Sequence, residues 1–417
     1  MNTPETARRP RARLSGFALI MGATAIAGVA SYVVTWLVPH QIGLASYAIF
    51  AVFWSFIYLV VGTLSGIQQE ITRATLPIET SPGGRASRAR NFAFTAGSTV
   101  FVIVLGTAPL WVGTVFPAEG WRLVWPLAVG SAAFVTVAVL AGTLYGASLW
   151  MPVALMIAVD AVIRLAALFI VLIFTTDVVL LAWAVALPFP VTLLVLWPFI
   201  RNAVVGRTQL DVGYRVLTWN VSRTMLAAAS TGIMVSGFPL ILGLTASAEP
   251  KELVGLFILT ITLTRAPLII VAMSLQSYFV IMFRDNVESF WKRFLALQAL
   301  IVGAALVLAL AGWLLGPAVF EFLFPGQLKP EGWFIAVLVF SSALVGAMCV
   351  SAPAVLARSQ HFVYTAGWSV AALVTVISLL MPLDFTARTV LALLAGPVAG
   401  LAVHGGYLAL SRSPSTR

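Results

Sequence analysis

Two charged residues lie within one long apolar segment of this chain and are the first candidates for chemistry. Asp160 and Arg164 are four residues apart in the segment VALMIAVDAVIRLAALFI. On a helix this spacing puts both side chains on one face, where they can form an ion pair. The pair could be a self-neutralising structural contact. It could also be a proton or ion relay, or a contact for a substrate.

A third charged residue, Arg265, lies midway along another apolar segment, LFILTITLTRAPLIIV. A charged side chain costs about 2.5–3.5 kcal/mol or more at the centre of a bilayer, so it is commonly functional there. Thr264 lies beside Arg265, and Pro267 could kink a helix just after it. The sequence predicts that Arg265 lines a cavity and binds an anion. Alternatively, it pairs with Asp160 or bonds to carbonyls that the proline frees.

A polar face is expected in the segment TWNVSRTMLAAASTGIM. Asn220, Arg223, Ala227, Ser230 and Met234 follow helical spacing and make a face of polar or small residues. Such a face suits a cavity or a helix interface better than lipid, which makes Asn220 and Arg223 candidate binding residues. Alternatively, Arg223 extends its charge to the membrane surface.

Polar residues also cluster at the end of the second apolar segment. Gln68, Glu70 and Arg73 would lie at the cytoplasmic surface, and Gln276 has an equivalent place in the second half of the chain. These four residues could form a cytoplasmic gate. The alternative is a solvated helix end that carries a Glu–Arg pair.

No residues suggest catalysis, a metal or a cofactor. The three histidines, His40, His361 and His404, are widely separated, and Cys349 is the one cysteine. The chain contains no GxxxxGK[ST] loop for nucleotide phosphates and no HExxH motif. We therefore expect no enzymatic activity, no metal site and no cofactor.

The elements that position these residues are predicted membrane helices. The chain is 61% hydrophobic and 9% charged, whereas ordinary soluble domains are about 25% charged. Helices are expected, because backbone groups in lipid must be satisfied within the segment. The sequence predicts an all-α polytopic membrane protein with twelve spans, at 15–37, 45–67, 91–115, 122–147, 152–175, 178–200, 218–246, 253–280, 294–318, 332–357, 362–381 and 389–411.

The distribution of basic residues predicts the orientation of these spans. Of the 24 lysines and arginines, 17 would face the cytoplasm if both termini do, 4 would face outward and 3 would lie within spans. This bias follows the positive-inside rule and predicts a multi-pass protein of the cytoplasmic membrane. The net charge of +10 then reflects topology, so we expect no nucleic-acid partner.

The second half of the chain repeats features of the first half. Three residues of the stretch PLWVGTVFP recur 208 positions later in PAVFEFLFP, namely Pro109, Phe116 and Pro117 as Pro317, Phe324 and Pro325. The repeat predicts two parallel six-helix lobes, at 1–200 and 218–417, joined by a cytoplasmic linker at 201–217. Two-lobed membrane proteins with a site between the lobes are usually secondary transporters.

The segment GLASYAIFAVFWSFIYLVVGTLSGIQQEITRA carries a family resemblance through Gly43, Tyr47, Gly66 and Arg73. It resembles the early segment of polysaccharide and O-antigen exporters, within the multidrug/oligosaccharidyl-lipid/polysaccharide exporter superfamily. The resemblance implies a flippase that moves a polyprenyl-pyrophosphate-linked oligosaccharide for envelope polysaccharide synthesis. It also implies that arginines of a cationic inter-lobe cavity bind the pyrophosphate or acidic sugars. This chain departs from the family in its sparse cavity charges, and many relatives have 14 spans.

The expected partners follow from this resemblance. They are membrane lipid, an anionic lipid-linked sugar and proteins of envelope polysaccharide assembly, with the transporter itself a monomer. Two other functions stay open. A cation-coupled drug or small-solute antiporter would need a carboxylate within the membrane, and Asp160 is the candidate. A non-transporting membrane scaffold would need none of the charged residues inside the spans.

Overall fold

A computed structural model describes residues 9–77, 89–205, 208–246, 248–285 and 288–411 of the chain. In this described part the fold consists of fourteen helices and two very short strands. The helices are α1 (Arg9–Ala74), α2 (Ala89–Val115), α3 (Trp121–Gly146), α4 (Trp150–Phe174), α5 (Val178–Ala186), α6 (Pro188–Val204), α7 (Tyr214–Val235), α8 (Phe238–Thr245), α9 (Lys251–Ser274), α10 (Gln276–Asp285), α11 (Phe290–Leu323), α12 (Gly332–Leu356), α13 (His361–Leu379) and α14 (Phe385–Leu410).

The first helix is much longer than a membrane span. α1 has 66 residues, which corresponds to about 100 Å at 1.5 Å per residue. Gly43 interrupts its helical geometry with φ 74° and ψ 164°, a left-handed conformation that glycine adopts easily. The predicted spans 15–37 and 45–67 lie on either side of this kink.

Three predicted spans are each covered by two shorter helices. The break between α5 and α6 comes just before Pro188, at the first position of α6, where proline is well tolerated. α7 and α8 are separated at Ser236 and Gly237, and α9 and α10 at Leu275. The remaining predicted spans after residue 90 each lie on one helix. The apolar pattern therefore located the helical segments, and it did not show the breaks within them.

Within the described residues, nine helices are long and apolar enough to cross a membrane, or ten if the bent pair α7 and α8 counts as one span. α1 enters this count as one helix, Ala18–Ala74. The protein is therefore a multi-pass, helical membrane protein. The span number of twelve and the cytoplasmic position of both termini stay predictions.

The repeated residues occupy matching positions in two helical hairpins. Pro109 lies inside α2 and Pro317 inside α11. Phe116 and Phe324, which follow the ends of these helices, are 1% and 0% exposed. α2 packs against α3, and α11 packs against α12. These likenesses support the parallel repeat, which stays a prediction.

A pair of three-residue strands was not predicted from the sequence. β1 (Thr75–Pro77) follows α1 directly and pairs antiparallel with β2 (Thr208–Leu210), in the loop before α7. Thr75 pairs with Leu210 in this ladder. The predicted linker at 201–217 thus contains the last turn of α6, a strand and the start of α7.

The chain forms two compact units. The first unit comprises the chain up to Gln41 together with Phe56–Ala229, and the second comprises Ile42–Ser55 and the chain from Ser230 onward. The predicted lobes, 1–200 and 218–417, differ from these units at two places. Part of α1 belongs to the second unit, and the first two-thirds of α7 belongs to the first.

Small residues explain why these helix segments belong where they do. In the first unit, a β-carbon added at Gly66 of α1 would lie 2.5 Å from the backbone nitrogen of Met225 in α7. In the second unit, a β-carbon at Gly255 of α9 would lie 2.1 Å from the carbonyl oxygen of Leu44 in α1. Because glycine has no side chain, the helix backbones approach closely at both points.

Candidate functional site

The predicted pair of Asp160 and Arg164 is present on α4. Arg164 Nη2 lies 2.5 Å from Asp160 Oδ2, and its Nη1 donates to the carbonyl oxygen of Val185 near the end of α5. The guanidinium carbon lies 4.5 Å from the centre of the Phe189 ring and 5.6 Å from that of Tyr58. The Arg164 side chain is 5% exposed, whereas that of Asp160 is 26% exposed. The charge of Arg164 is therefore compensated inside the first unit, and part of the Asp160 side chain is not covered by protein.

Arg265 on α9 is buried in the second unit without a carboxylate. Arg265 is 6% exposed, and its Nη2 donates to the carbonyl oxygen of Met234 at 2.8 Å. The guanidinium carbon lies 5.7 Å from the ring centre of Phe238. No acidic side chain of the described residues lies within 4.0 Å of it. Asp160, the partner considered from the sequence, pairs with Arg164 instead.

The carbonyl that Arg265 meets belongs to a break between helices. Met234 is near the end of α7, and the next helix begins at Phe238. Ser55 forms hydrogen bonds at the same break. Its Oγ donates to the carbonyl oxygen of Ser236 and accepts from the backbone N–H of Leu240 at 3.1 Å. Arg265 thus bonds to a backbone carbonyl of α7, whereas the alternative drawn from the sequence named carbonyls freed by Pro267 in its own helix. Thr264 donates to the carbonyl oxygen of Thr260 in its own helix at 2.8 Å.

The predicted polar face of α7 is divided between the two units. Asn220, in the first unit, donates to Glu70 Oε1 at 2.9 Å, and Arg223 is exposed. Ser230, in the second unit, lies with its Oγ 3.1 Å from Ser369 Oγ, and Met234 is buried. The side chain of Ala227 lies outside the described residues. Asn220 and Arg223 therefore belong to the first unit and Arg265 to the second, and their joint role in one cavity stays a prediction.

The gate candidates of the first unit form a compact network. Glu70 is 4% exposed and accepts from Arg73 Nη2 at 2.6 Å and from Asn220 Nδ2 at 2.9 Å. Arg73 Nη1 also reaches Asp211 Oδ2 at 3.3 Å. Glu70 is therefore a buried member of a network that joins α1, the loop after β2 and α7. The Glu–Arg pair of the alternative interpretation is present, with Arg73 half-exposed and Glu70 buried.

The structure provides less information on the other two gate candidates, Gln68 and Gln276. Gln68 is half-buried, and its carbonyl oxygen accepts from Thr72 Oγ1 at 2.7 Å. The side chain of Gln276 lies outside the described residues. A gate that uses Gln68, Glu70, Arg73 and Gln276 therefore stays a prediction.

Sequence reasoning missed a buried histidine in the second unit. His404 on α14 is 0% exposed. Its Nδ1 lies 2.9 Å from Ser351 Oγ on α12, and its Nε2 lies 3.3 Å from the carbonyl oxygen of Tyr364 on α13. It was considered only as a metal ligand, and among the described residues no group of three or more His, Cys, Asp or Glu side chains could hold a metal. Its place inside the apolar run LAVHGGYLAL was the signal for burial.

The chain is similar to uncharacterized mycobacterial proteins. It is 30% identical over 401 residues to the uncharacterized protein Rv1510 of Mycobacterium tuberculosis strain H37Rv, which covers 95% of this chain and 92% of the relative. It is 29% identical over 394 residues to the uncharacterized protein Rv3630 of the same strain, covering 94% and 91% of the two chains. No protein-family model matches the sequence.

Solved structures show a shared fold at low sequence identity. An inward-facing multidrug resistance MATE family transporter of the MOP superfamily superimposes with a TM-score of 0.66, at 16% identity, over 94% of this chain and 96% of that one. A MOP superfamily transporter from Pyrococcus furiosus, with a binding pocket of reverse polarity, gives a TM-score of 0.59 at 16% identity over 95% of each chain. These similar structures are transporters and not enzymes, and the likeness concerns the fold.

Proposed function

Because this chain belongs to the same protein family as Rv1510 and has the fold of MATE transporters, we propose that it is a membrane transporter that works by alternating access. The proposal follows from the fold, since transporters of this kind expose one binding site to the two sides of a membrane in turn. We place it in the cytoplasmic membrane, as the positive-inside bias of its basic residues predicts.

The substrate is anionic, and Arg265 carries this part of the proposal. A buried arginine without a counter-charge is strongly unfavourable, because desolvation of the guanidinium is not repaid by a nearby carboxylate. Arg265 donates to the Met234 carbonyl and lies above the Phe238 ring, and no carboxylate of the described residues is within 4.0 Å. A substrate that brings a negative group would supply the missing charge. A binding pocket of reverse polarity has been described for a MOP transporter of the same fold, which makes such a variation reasonable here.

The finer proposal is that the substrate is a polyprenyl-pyrophosphate-linked oligosaccharide. Its anionic head is excluded by lipid and its polyprenyl tail is excluded by water, so a carrier must hold the first and leave the second in the bilayer. The resemblance of the segment around Gly43, Tyr47, Gly66 and Arg73 to polysaccharide exporters supports this substrate. Membrane lipid and envelope polysaccharide assembly proteins would then be its partners. Movement of one net charge across the membrane exchanges about 2.3 kcal/mol per 100 mV with the membrane potential.

Complementation of a deletion strain tests the substrate. Cells that carry the wild type, Arg265→Ala, Arg265→Lys or the exposed control Arg293→Gln are compared for surface polysaccharide and for lipid-linked precursor at equal protein level. We expect Arg265→Ala to accumulate precursor on the cytoplasmic side, Arg265→Lys to recover part of the transport, and Arg293→Gln to behave as wild type. Unchanged surface polysaccharide in the deletion strain itself would exclude this substrate.

A cation-coupled drug antiporter is the second candidate, and Asp160 favours it. Its side chain is 26% exposed although it lies well inside α4, so the protein does not fully cover the carboxylate. The MATE neighbours include a multidrug resistance transporter. This candidate predicts that Asp160→Asn abolishes drug efflux. Efflux that persists in Asp160→Asn at wild-type level would rule it out.

A further inference from the structure

Two buried N–H groups of the second unit lack a hydrogen-bond partner among the described residues. They are Nε of Arg265 and Nε1 of Trp368. The two residues are 6% and 1% exposed, so bulk water does not reach these nitrogens. Buried donors are nearly always paired in folded proteins, and a donor without a partner calls for an explanation such as a ligand.

Both side chains converge on Met234 at the end of α7. Arg265, on α9, donates from Nη2 to the Met234 carbonyl oxygen at 2.8 Å. Trp368, on α13, packs with the Met234 side chain in one buried cluster. α7 and α13 also meet near this point, because Ser230 Oγ lies 3.1 Å from Ser369 Oγ. The two donors therefore belong to one region of the second unit.

Among the described residues, no group accepts a hydrogen bond from Arg265 Nε or Trp368 Nε1. The cluster that contains Trp368 is formed by apolar side chains and one thiol of α7, α12 and α13: Met234, Val345, Met348, Cys349, Ala352, Ala371 and Ala372. Tyr364, which packs against this cluster, and Thr375 carry hydroxyl groups. Thr375 Oγ1 is directed to Met234 Sδ at 3.5 Å and to the Ala392 carbonyl oxygen at 3.4 Å. A positive charge, two donors and an apolar wall select for a ligand that is negative and accepts hydrogen bonds.

We propose that Arg265 and Trp368 form one binding site for an oxyanion, such as a phosphate or pyrophosphate group. Arg265 would supply the charge and an in-plane N–H, and Trp368 would supply a neutral N–H that can donate but not accept. Such a pair cannot hold a cation. This inference rests on the proposed function, since it assumes that the transported substrate is anionic, and it adds Trp368 as a residue that determines specificity.

Ligand entry requires a rearrangement, because both donors are covered in the present conformation. A transporter that alternates between conformations provides one, and the ligand then favours the conformation in which the two donors are satisfied. The unpaired donors make the covered arrangement less favourable than it would be with apolar residues. Binding of an oxyanion would remove that penalty.

Titration of the purified full-length protein tests the site. Inorganic pyrophosphate is titrated by calorimetry in detergent, with a chloride salt of equal ionic strength as the control. The variants are Trp368→Phe, which keeps an aromatic ring without a donor, and Trp368→His, whose ring is slightly smaller than that of phenylalanine and carries an N–H donor. Trp313→Phe, at a 57% exposed position of α11, is the matched control.

We expect Trp368→Phe to weaken pyrophosphate binding about tenfold or more, because a hydrogen bond to a charged group is lost. Trp368→His should recover part of the loss, and Trp313→Phe should bind as wild type. The inference is overturned if Trp368→Phe and wild type bind with the same affinity. It is also overturned if Phe and His weaken binding equally, because then the ring volume and not the N–H matters.

Two further comparisons, of ligands and of transport by the variants, distinguish a failure of this inference from a failure of the proposed function. Polyprenyl pyrophosphate in nanodiscs is compared with inorganic pyrophosphate, and tighter, Trp368-dependent binding of the lipid form identifies a lipid headgroup as the ligand. If Arg265→Ala abolishes transport while Trp368→Phe binds and transports normally, the inference fails and the proposed function stands. If wild type binds neither form and Arg265→Ala transports normally, both fail.

Discussion

Replacement of Asp160 by asparagine should destabilise the first unit by about 2 kcal/mol. Removal of one partner of a fully buried ion pair costs about 3–5 kcal/mol, because the other charge is left uncompensated. Two features reduce this figure here. The Asp160 side chain is 26% exposed, so the pair is not fully buried. Arg164 also keeps the Val185 carbonyl and the Phe189 ring as partners.

The double variant Asp160→Asn with Arg164→Met makes the prediction specific. Arg164→Met alone should cost about 1–3 kcal/mol, because it leaves the Val185 carbonyl unpaired. Once Arg164 is absent, Asp160→Asn should cost little more, since no buried positive charge is left. The losses of unfolding free energy in the two single variants should therefore add up to about 2 kcal/mol more than the loss in the double variant. This difference is the coupling energy of the pair.

Equilibrium unfolding in mixed micelles, followed by circular dichroism, measures these free energies. Glu119→Gln provides the control, because Glu119 pairs with Arg122 at the same kind of spacing but with Arg122 61% exposed. Exposed pairs contribute about 0–1 kcal/mol. The reasoning is refuted if Asp160→Asn is no more destabilising than Glu119→Gln, or if the effects at 160 and 164 add. Drug efflux on the same variants then shows whether Asp160 has a role beyond stability.

Three other substitutions test the packing of the two units by the same unfolding measurement. Ser55→Ala should cost about 2–4 kcal/mol, because the Ser236 carbonyl and the Leu240 N–H, at the break between α7 and α8, lose their partner. Its control is Ser65→Ala, whose hydroxyl donates to the Gly62 carbonyl of its own helix, and it should cost less than about 1 kcal/mol. Gly66→Ala should cost at least about 1–3 kcal/mol, since its β-carbon would lie 2.5 Å from a neighbouring backbone nitrogen. Its control, Gly106→Ala, lies in open space and should stabilise the protein by up to about 1 kcal/mol. Glu70→Gln should cost about 1–2 kcal/mol, because a buried carboxylate that holds an arginine loses its charge, and high salt should reduce the difference if the pair is its cause.

Local patterns predicted the helices and one of the contacts well. Each apolar run became helical, because hydropathy along a segment depends on that segment alone. The pairing of Asp160 with Arg164 was also predictable, since a spacing of four residues is fixed by the helix itself. Gly43 became the kink of α1, but its identity as a glycine does not distinguish it from the 31 others in the chain.

Contacts between distant segments were not predictable in the same way. Asn220 meets Glu70 across 150 positions, and His404 meets Ser351 across 53. Both polar pairs lie in segments that an isolated apolar pattern assigns simply to helix. Which helix faces which is decided by the close approach of glycines and by core packing, and neither is encoded in one segment.

The sequence by itself determined the class of the protein, because a chain with 61% hydrophobic residues in repeated apolar runs can satisfy its backbone in lipid only as helices. It also determined that Arg265 must be compensated, since a charge inside a span is costly wherever the chain places it. Only the tertiary structure decided how. It placed Arg265 against a carbonyl 31 residues away and in the same region as the buried N–H of Trp368, because partners from separate helices become neighbours only when those helices pack.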